Sequence, residues 1–215
     1  MAGAICRRAG PVLCENKRRK AMKRSLGPLT LVYPMPAFLV GSYDADGKAN
    51  IITIAWGGIC CSEPPRLTVS IRRSRWSYEA IVARKAFTVS IPSASMAAQT
   101  DFAGIASGRD ADKFKELGLT AVRGEFVDAP YVGECPVVVE AALYSSQDLG
   151  SHVQFIGDIK DVKVDEACLD EAGKPLLARI DPLLYDGSAR EYHRAGEAVA
   201  KAFAAGKAFL RKSGG

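Results

Sequence analysis

Four arginines, Arg66, Arg72, Arg73 and Arg75, fall between Pro64 and Tyr78 with no acid among them. A guanidinium presents paired N–H donors that match a phosphate, so an acid-free run of this kind is the raw material of an anion site. Ser77 follows at once and reads as the N-cap of a short helix over Tyr78–Arg84, whose free first-turn N–H groups would point at the same anion. Ahead of the arginines, Asn50 and Thr53 bring hydrogen-bonding side chains, and Ala55, Gly57 and Gly58 leave room for a flat ligand against the backbone. Trp56 adds a large aromatic surface. The chemistry these residues can do together is to hold a flat, phosphorylated molecule.

Other chemistries find less support. The chain has two histidines, His152 and His193, and no grouping that resembles a nucleophile with its base. Its six cysteines form no C-x-x-C pair, and no Cys/His spacing suits a metal, so no metal site is expected. Cys60 and Cys61, adjacent on an extended segment, point to opposite faces and cannot easily act together; both are expected in the core, as reduced thiols. Neither a Walker motif nor a glycine-rich dinucleotide fingerprint is present.

The elements that must position these residues read as mostly β. Pro36–Tyr43 and Asn50–Trp56 form strands joined through the Asp46-Gly47 turn, with Gly57-Gly58 ending the second. Leu67, Val69 and Ile71 alternate with Thr68, Ser70 and Arg72, which marks a strand with one apolar face. Phe87–Ile91 is a further strand, and Ala97–Leu117 is helical in two pieces that part near Gly108 and stop at Gly118. Pro136–Ser145 and His152–Val164 make a second hairpin, and a short strand covers Leu183–Tyr185. A closing helix is expected to dock through a stripe of Val199, Phe203, Gly206 and Leu210. This order of strands and inserted helices predicts an antiparallel barrel with helical additions.

At 215 residues, with 48% hydrophobic and 25% charged residues, the chain suits one ordinary domain. The net charge of +5 is unevenly placed: residues 1–24 hold eight basic residues against Glu15, or +7, so the remainder carries −2. A mildly acidic body is a poor phosphate-backbone surface, which argues against specific nucleic-acid binding and leaves only the tail for weak polyanion contact. Arg7 and Arg8 lack a following apolar stretch, so a secretory signal is rejected. Residues 1–24 are expected to be a disordered basic extension, with 25–215 as the domain, and with no membrane span a cytoplasmic location is expected.

The series Pro36-x-x-x-Val40, Asp46-Gly47-Lys48-x-Asn50-Ile51-Ile52-Thr53-x-Ala55-Trp56, Pro64-Pro65-Arg66 through Arg72, and Arg75-x-Ser77-Tyr78 resembles the flavoredoxin branch of the flavin reductase family. The likeness continues through Asp112-Lys113-Phe114, Gly150-Ser151-His152 with Phe155-Ile156-Gly157-Asp158, and Tyr192-x-x-x-Gly196-Glu197. It implies a mainly β, FMN-binding split β-barrel, antiparallel and Greek-key-like, with helical additions. It also implies that Asn50, Thr53, Ala55 and Trp56 contact the flavin ring and ribityl chain, that Ser70, Arg72, Arg75 and Ser77 hold the ribityl and phosphate end, and that His152 lies beside the open ring face. Ser151 stands where many relatives carry an acid, which makes NAD(P)H as co-substrate less secure than FMN.

The function implied is an FMN oxidoreductase drawing on NAD(P)H or a protein donor and serving free flavin, ferric iron or a partner protein. An FMN electron carrier with no nicotinamide activity is the alternative, and a nucleic-acid-binding barrel using the basic tail is a remote one. A homodimer is expected.

Overall fold

In the computed structural model, which describes residues 22–210, the chain divides into a segment up to Leu31 and a body that begins at Val32. Residues 22–31 carry no helix or strand. The expected disordered tail over 1–24 therefore falls almost wholly outside the described residues.

The body opens with β1 (Met35–Pro36), β2 (Phe38–Tyr43), β3 (Ala49–Ile54), β4 (Gly57–Cys61) and β5 (Arg66–Ile71), followed by α1 (Trp76–Arg84) and β6 (Ala86–Ile91). Then come α2 (Ala97–Ile105), α3 (Lys113–Leu117), β7 (Ala121–Arg123), β8 (Pro130–Val132), and the long hairpin of β9 (Val137–Asp148) and β10 (Val153–Val164). The last elements are α4 (Leu177–Ile180), β11 (Leu183–Asp186) and β12 (Glu191–Arg194). Seven strands form the main sheet in the order β3-β2-β6-β9-β10-β5-β4, every pairing antiparallel.

The two edge strands of that sheet, β3 and β4, are consecutive in the chain and separated only by Ala55 and Trp56. The three peptide units from Ile54 to Gly57 reach at most about 11 Å, so the sheet has to curl until its edges nearly meet. They meet without closing: β3 pairs only with β2 and β4 only with β5, a pairing that the Ser70 N–H extends by donating to the Trp56 carbonyl at 2.8 Å. This is the split, antiparallel barrel expected from the sequence.

Side-chain alternation fills the barrel and coats its outside. Val40, Ile52, Ile54, Leu67, Val69, Ile71, Phe87 and Phe155 belong to the central core, while their neighbours Leu39 and Ile51 turn outward onto Ala103, Phe114 and Val132. Strands β2 and β3 are thus apolar on both faces because α2 and α3 cover the outer one. Gly118, in the left-handed region at φ +63°, ends α3 as the sequence indicated.

Four expectations are corrected. The α1 helix starts two residues earlier than expected, with Arg75 at its N-cap in extended geometry, so Ser77 sits buried inside the first turn and does not cap it. Gly57-Gly58 opens an edge strand where a strand end was expected, and it exposes Cys60 while half-burying Cys61, so neither is core. The docking helix at the C-terminal end is reduced to a 3-10 turn over Ala205–Phe209; Val199 and Phe203 are 99% and 96% exposed, because this stretch packs no apolar stripe against the body. A strand β12 pairs with β11, which the sequence pattern had left unpartnered.

A buried charge fixes the far side of the barrel. Glu140 on β9 is 0% exposed; its carboxylate accepts the Phe126 N–H at 2.7 Å and lies 3.0 Å from the Lys163 ammonium on β10. Removing only the cation strands a carboxylate in the core. Lys163→Met is therefore expected to lower stability by about 3 kcal/mol, and Lys163→Met combined with Glu140→Gln by less. Urea denaturation of the two variants measures this, and equal losses would refute the pairing.

Candidate functional site

Beside the β3–β4 connection, the gap between the free edge of β3 and the end of β5 opens into a trough built from two adjoining cavities. The first, about 260 Å³, is lined by Asn50, Arg72, Arg75, Ser77, Gly108 and Lys113 among others. The second, about 120 Å³, is lined by Thr53, Ala55, Trp56, Ser70 and His152. Ile52, Arg72 and Arg75 line both. All nine residues singled out from the sequence thus come together along one trough, although they span β3, β5, the start of α1 and the turn before β10.

The four arginines part company. Arg66 is engaged with Asp158 at 2.7 Å and Arg73 with Asp148 at 2.8 Å, whereas Arg72 and Arg75 turn to the trough. No acid lines either cavity. The lead-in to α1 and its first residues, Ser74 to Ser77, form one end wall, and the leading N–H groups of the helix have no intrahelical acceptor.

Lys113 completes this end, and sequence reasoning did not nominate it. It is 3% exposed, and its ammonium donates to the carbonyls of Ile51 at 2.8 Å and Ala103 at 2.7 Å. A protonated lysine has three N–H groups, so one remains for the cavity that Lys113 lines. Burial, and then the Arg75 charge, pull its pKa down to about 8. Only the Asp112-Lys113-Phe114 triplet marked this position in the sequence. Nothing local says that a lysine leading a five-residue helix is folded under β3.

Small residues and internal bonds shape the walls. Asn50 Nδ2 donates to the Ser77 hydroxyl at 3.0 Å, tying β3 to α1. A Cβ on Gly108 would sit 2.5 Å from Asn50 Oδ1 and 2.7 Å from the Trp76 ring, so only glycine lets that loop close on the cavity. The Thr53 hydroxyl donates to the Thr100 carbonyl of α2, leaving only its lone pairs toward the trough. At the other end Trp56 is 37% exposed, and His152 Nδ1 lies 2.9 Å from the Ser151 hydroxyl. Burial, and then the Arg72 charge, hold the His152 pKa below the usual histidine value, so the ring is neutral at neutral pH.

A third cavity, about 300 Å³, backs onto Thr53, Ile54 and Ala55 and is closed by Asp101, Tyr185, Arg190 and Tyr192. The Tyr185 and Tyr192 rings are 5.7 Å apart, and the Tyr192 hydroxyl donates to Asp101 at 3.1 Å. Burial, and then Asp101, push the Tyr192 pKa up to about 12.

A cationic, acid-free pocket that continues into a shelf of small residues suits a flat ring carrying a phosphate on a short chain. Residues 30–195 match the model of the flavin reductase like domain. The chain belongs to this family. A solved flavoredoxin of Desulfovibrio vulgaris (Miyazaki F) is 52% identical, with 86% of this chain and 100% of that one covered at a TM-score of 0.83. An FMN-binding protein from Thermus thermophilus, solved with bound 1-cyclohex-2-enone, is 26% identical over 84% of this chain and 99% of that one, TM-score 0.70. An uncharacterized protein of Pyrococcus abyssi (strain GE5 / Orsay) is 31% identical over 68% of this chain and 83% of its own length. As a flavin reductase like domain, the chain is a flavin-related redox protein. No helix among the described residues is long and apolar enough to cross a membrane.

The buried lysine predicts a pH signature in the ligand-free protein. Between about pH 8 and the ordinary lysine value of 10.5, the unfolded chain binds the Lys113 proton and the folded chain has released it. Stability from this group therefore rises with pH across that window. Thermal melts of the wild type are expected to gain over Lys113→Met between pH 8 and 10.5; parallel curves would show that Lys113 titrates normally.

Proposed function

We propose that this chain is an FMN oxidoreductase of the flavin reductase and flavoredoxin type, with the trough as the flavin seat. The observation that carries this reading is the acid-free cavity of Arg72, Arg75, Lys113 and the α1 start, joined to the shelf of Ala55 and Trp56. FMN, when bound, supplies hydride and single-electron transfer, which is why no nucleophile or triad is needed. The residues fit it: Arg72 and Arg75 face a phosphate as charged donors, and Lys113 adds an N–H that costs little to desolvate because the side chain is already buried. Asn50 and Ser77 present polar atoms along the ribityl stretch, and Ser70 and Thr53 do so nearer the ring.

His152 is the candidate catalytic residue in this reading. Held neutral and oriented by Ser151, it can donate or accept a hydrogen bond at the ring side without placing a second positive charge beside Arg72. Its role is to position an electron donor, NAD(P)H or a protein, over the exposed part of the trough. The acceptor is free flavin, ferric iron or a partner protein. A cytoplasmic homodimer belongs to the same proposal; exposed Ile59, Tyr144 and Leu149 on β4 and the β9–β10 hairpin offer apolar surface for the second copy. Light scattering returning a monomeric mass would remove the dimer from it.

Purified protein is expected to be yellow. Arg75→Ala is expected to weaken FMN binding by about 1.5–3 kcal/mol, the scale of a hydrogen bond to a charged group. Fluorescence titration measures that loss, and unchanged affinity would take Arg75 out of the site. Rapid anaerobic bleaching by NADH or NADPH in stopped flow is the expected enzymatic signature, while a flavin that no nicotinamide reduces would make the chain a pure electron carrier. A colourless preparation that refuses added FMN would end the proposal.

A further inference from the structure

Most arginines of the body have an acceptor. From Val32 onward, Arg66, Arg73, Arg84, Arg123 and Arg194 pair with carboxylates, and Arg109 and Arg179 donate to backbone carbonyls. The guanidinium groups of Arg72, Arg75 and Arg190 have none among the described residues, and each lines a cavity: the first two the trough, the third the chamber of about 300 Å³ behind Thr53, Ile54 and Ala55. An unpaired guanidinium at a cavity wall is an open seat for an anion.

Arg190 is held there at a conformational cost. It lies in the left-handed region at φ +58°, which an L side chain rarely adopts. The turn that carries it is locked by Asp186, whose Oδ1 accepts the Ser188 and Ala189 N–H groups at 2.8 and 3.2 Å and the Tyr33 hydroxyl. Glycine would take this backbone without strain, so the guanidinium is what arginine brings to the position.

The rest of the chamber narrows the choice of anion. Tyr185 and Tyr192 face each other across the β11–β12 pair, and Ile54 and Ile105 add apolar surface. Asp101 also lines it; Oδ1 takes the Tyr192 hydroxyl, and Oδ2 has no partner among the described residues. Arg190 and Asp101 stand too far apart to pair with each other. A simple anion is drawn to one and repelled by the other, and a simple cation fares no better. What satisfies both is a flat apolar body with a carboxylate at one end and an uncharged hydrogen-bond donor at the other. A cavity of this size, at the small end of ligand pockets, suits a single substituted ring.

We propose that the chamber is a second small-molecule site, for aromatic carboxylic acids that carry a ring amine or hydroxyl. Arg190 clamps the carboxylate, the ring lies against Tyr185 and Tyr192, and the amine or hydroxyl donates to Asp101. The site does not depend on what fills the trough.

Full-length protein is titrated calorimetrically with 4-aminobenzoate and with benzoate, in excess FMN. One equivalent of 4-aminobenzoate is expected to bind, and benzoate about tenfold more weakly for want of a donor to a charged group. Asp101→Ala is expected to erase that difference. Arg190→Gly is expected to raise the melting temperature by relieving the turn, yet to weaken 4-aminobenzoate by at least about tenfold, two readings that a merely structural arginine would not separate. Ile105 is 72% exposed, so Ile105→Trp fills the chamber without entering the core and is expected to abolish binding. Arg72→Gln, which alters the trough, is expected to leave it unchanged. Absence of 4-aminobenzoate binding, or binding that survives Arg190→Gly or Ile105→Trp, would overturn the site. Loss of binding in Arg72→Gln would overturn it too, by placing the acid in the trough.

Discussion

Two residues set the geometry of this molecule. Ala55 and Trp56 are all that separates one edge of a seven-stranded sheet from the other, so the sheet cannot lie open. It curls into a barrel whose last pair of edges stays unjoined, and every residue of the trough lies along that failure to close. A flat ligand can approach backbone there because the seam has no ladder of its own to complete. The seat is a by-product of topology, furnished afterwards with small residues and charge.

The charge arrives by subtraction. A stretch of four arginines suggests one broad cationic surface, yet strand pairing aligns Arg66 with Asp158, and the hairpin end brings Asp148 to Arg73. What is left at the trough is a pair of arginines reinforced by a lysine from a distant helix. Neutralising the outer arginines keeps the positive potential local, which suits recognition of one phosphate group better than a diffuse basic face would.

Much of this was legible in the sequence. Strand alternation in Leu67–Ile71, the Asp-Gly turn and the paired long β segments gave the barrel, and the small-residue strand ahead of the arginines gave the trough. Lys113 was not legible, because its place depends on α3 folding beneath β3, a contact between residues 62 apart. The cysteine pair misled for a related reason: Gly57-Gly58 looked like an ending, but the neighbouring strand supplied a partner, and an edge strand exposes what a central one would bury. The C-terminal helix failed because an apolar stripe predicts docking only where the body offers a facing surface.

One small bond reaches further than its size. The Thr53 hydroxyl fastens the floor of the trough to α2 at Thr100, and the next residue of that helix, Asp101, receives Tyr192 from β12. A single nine-residue helix therefore shares its hydrogen bonds between the ring end of the seat and the C-terminal hairpin. The ring-side cavity and the tyrosine-lined chamber behind it therefore share one wall, Thr53 to Ala55, and one anchor, so neither can be remodelled without touching the other.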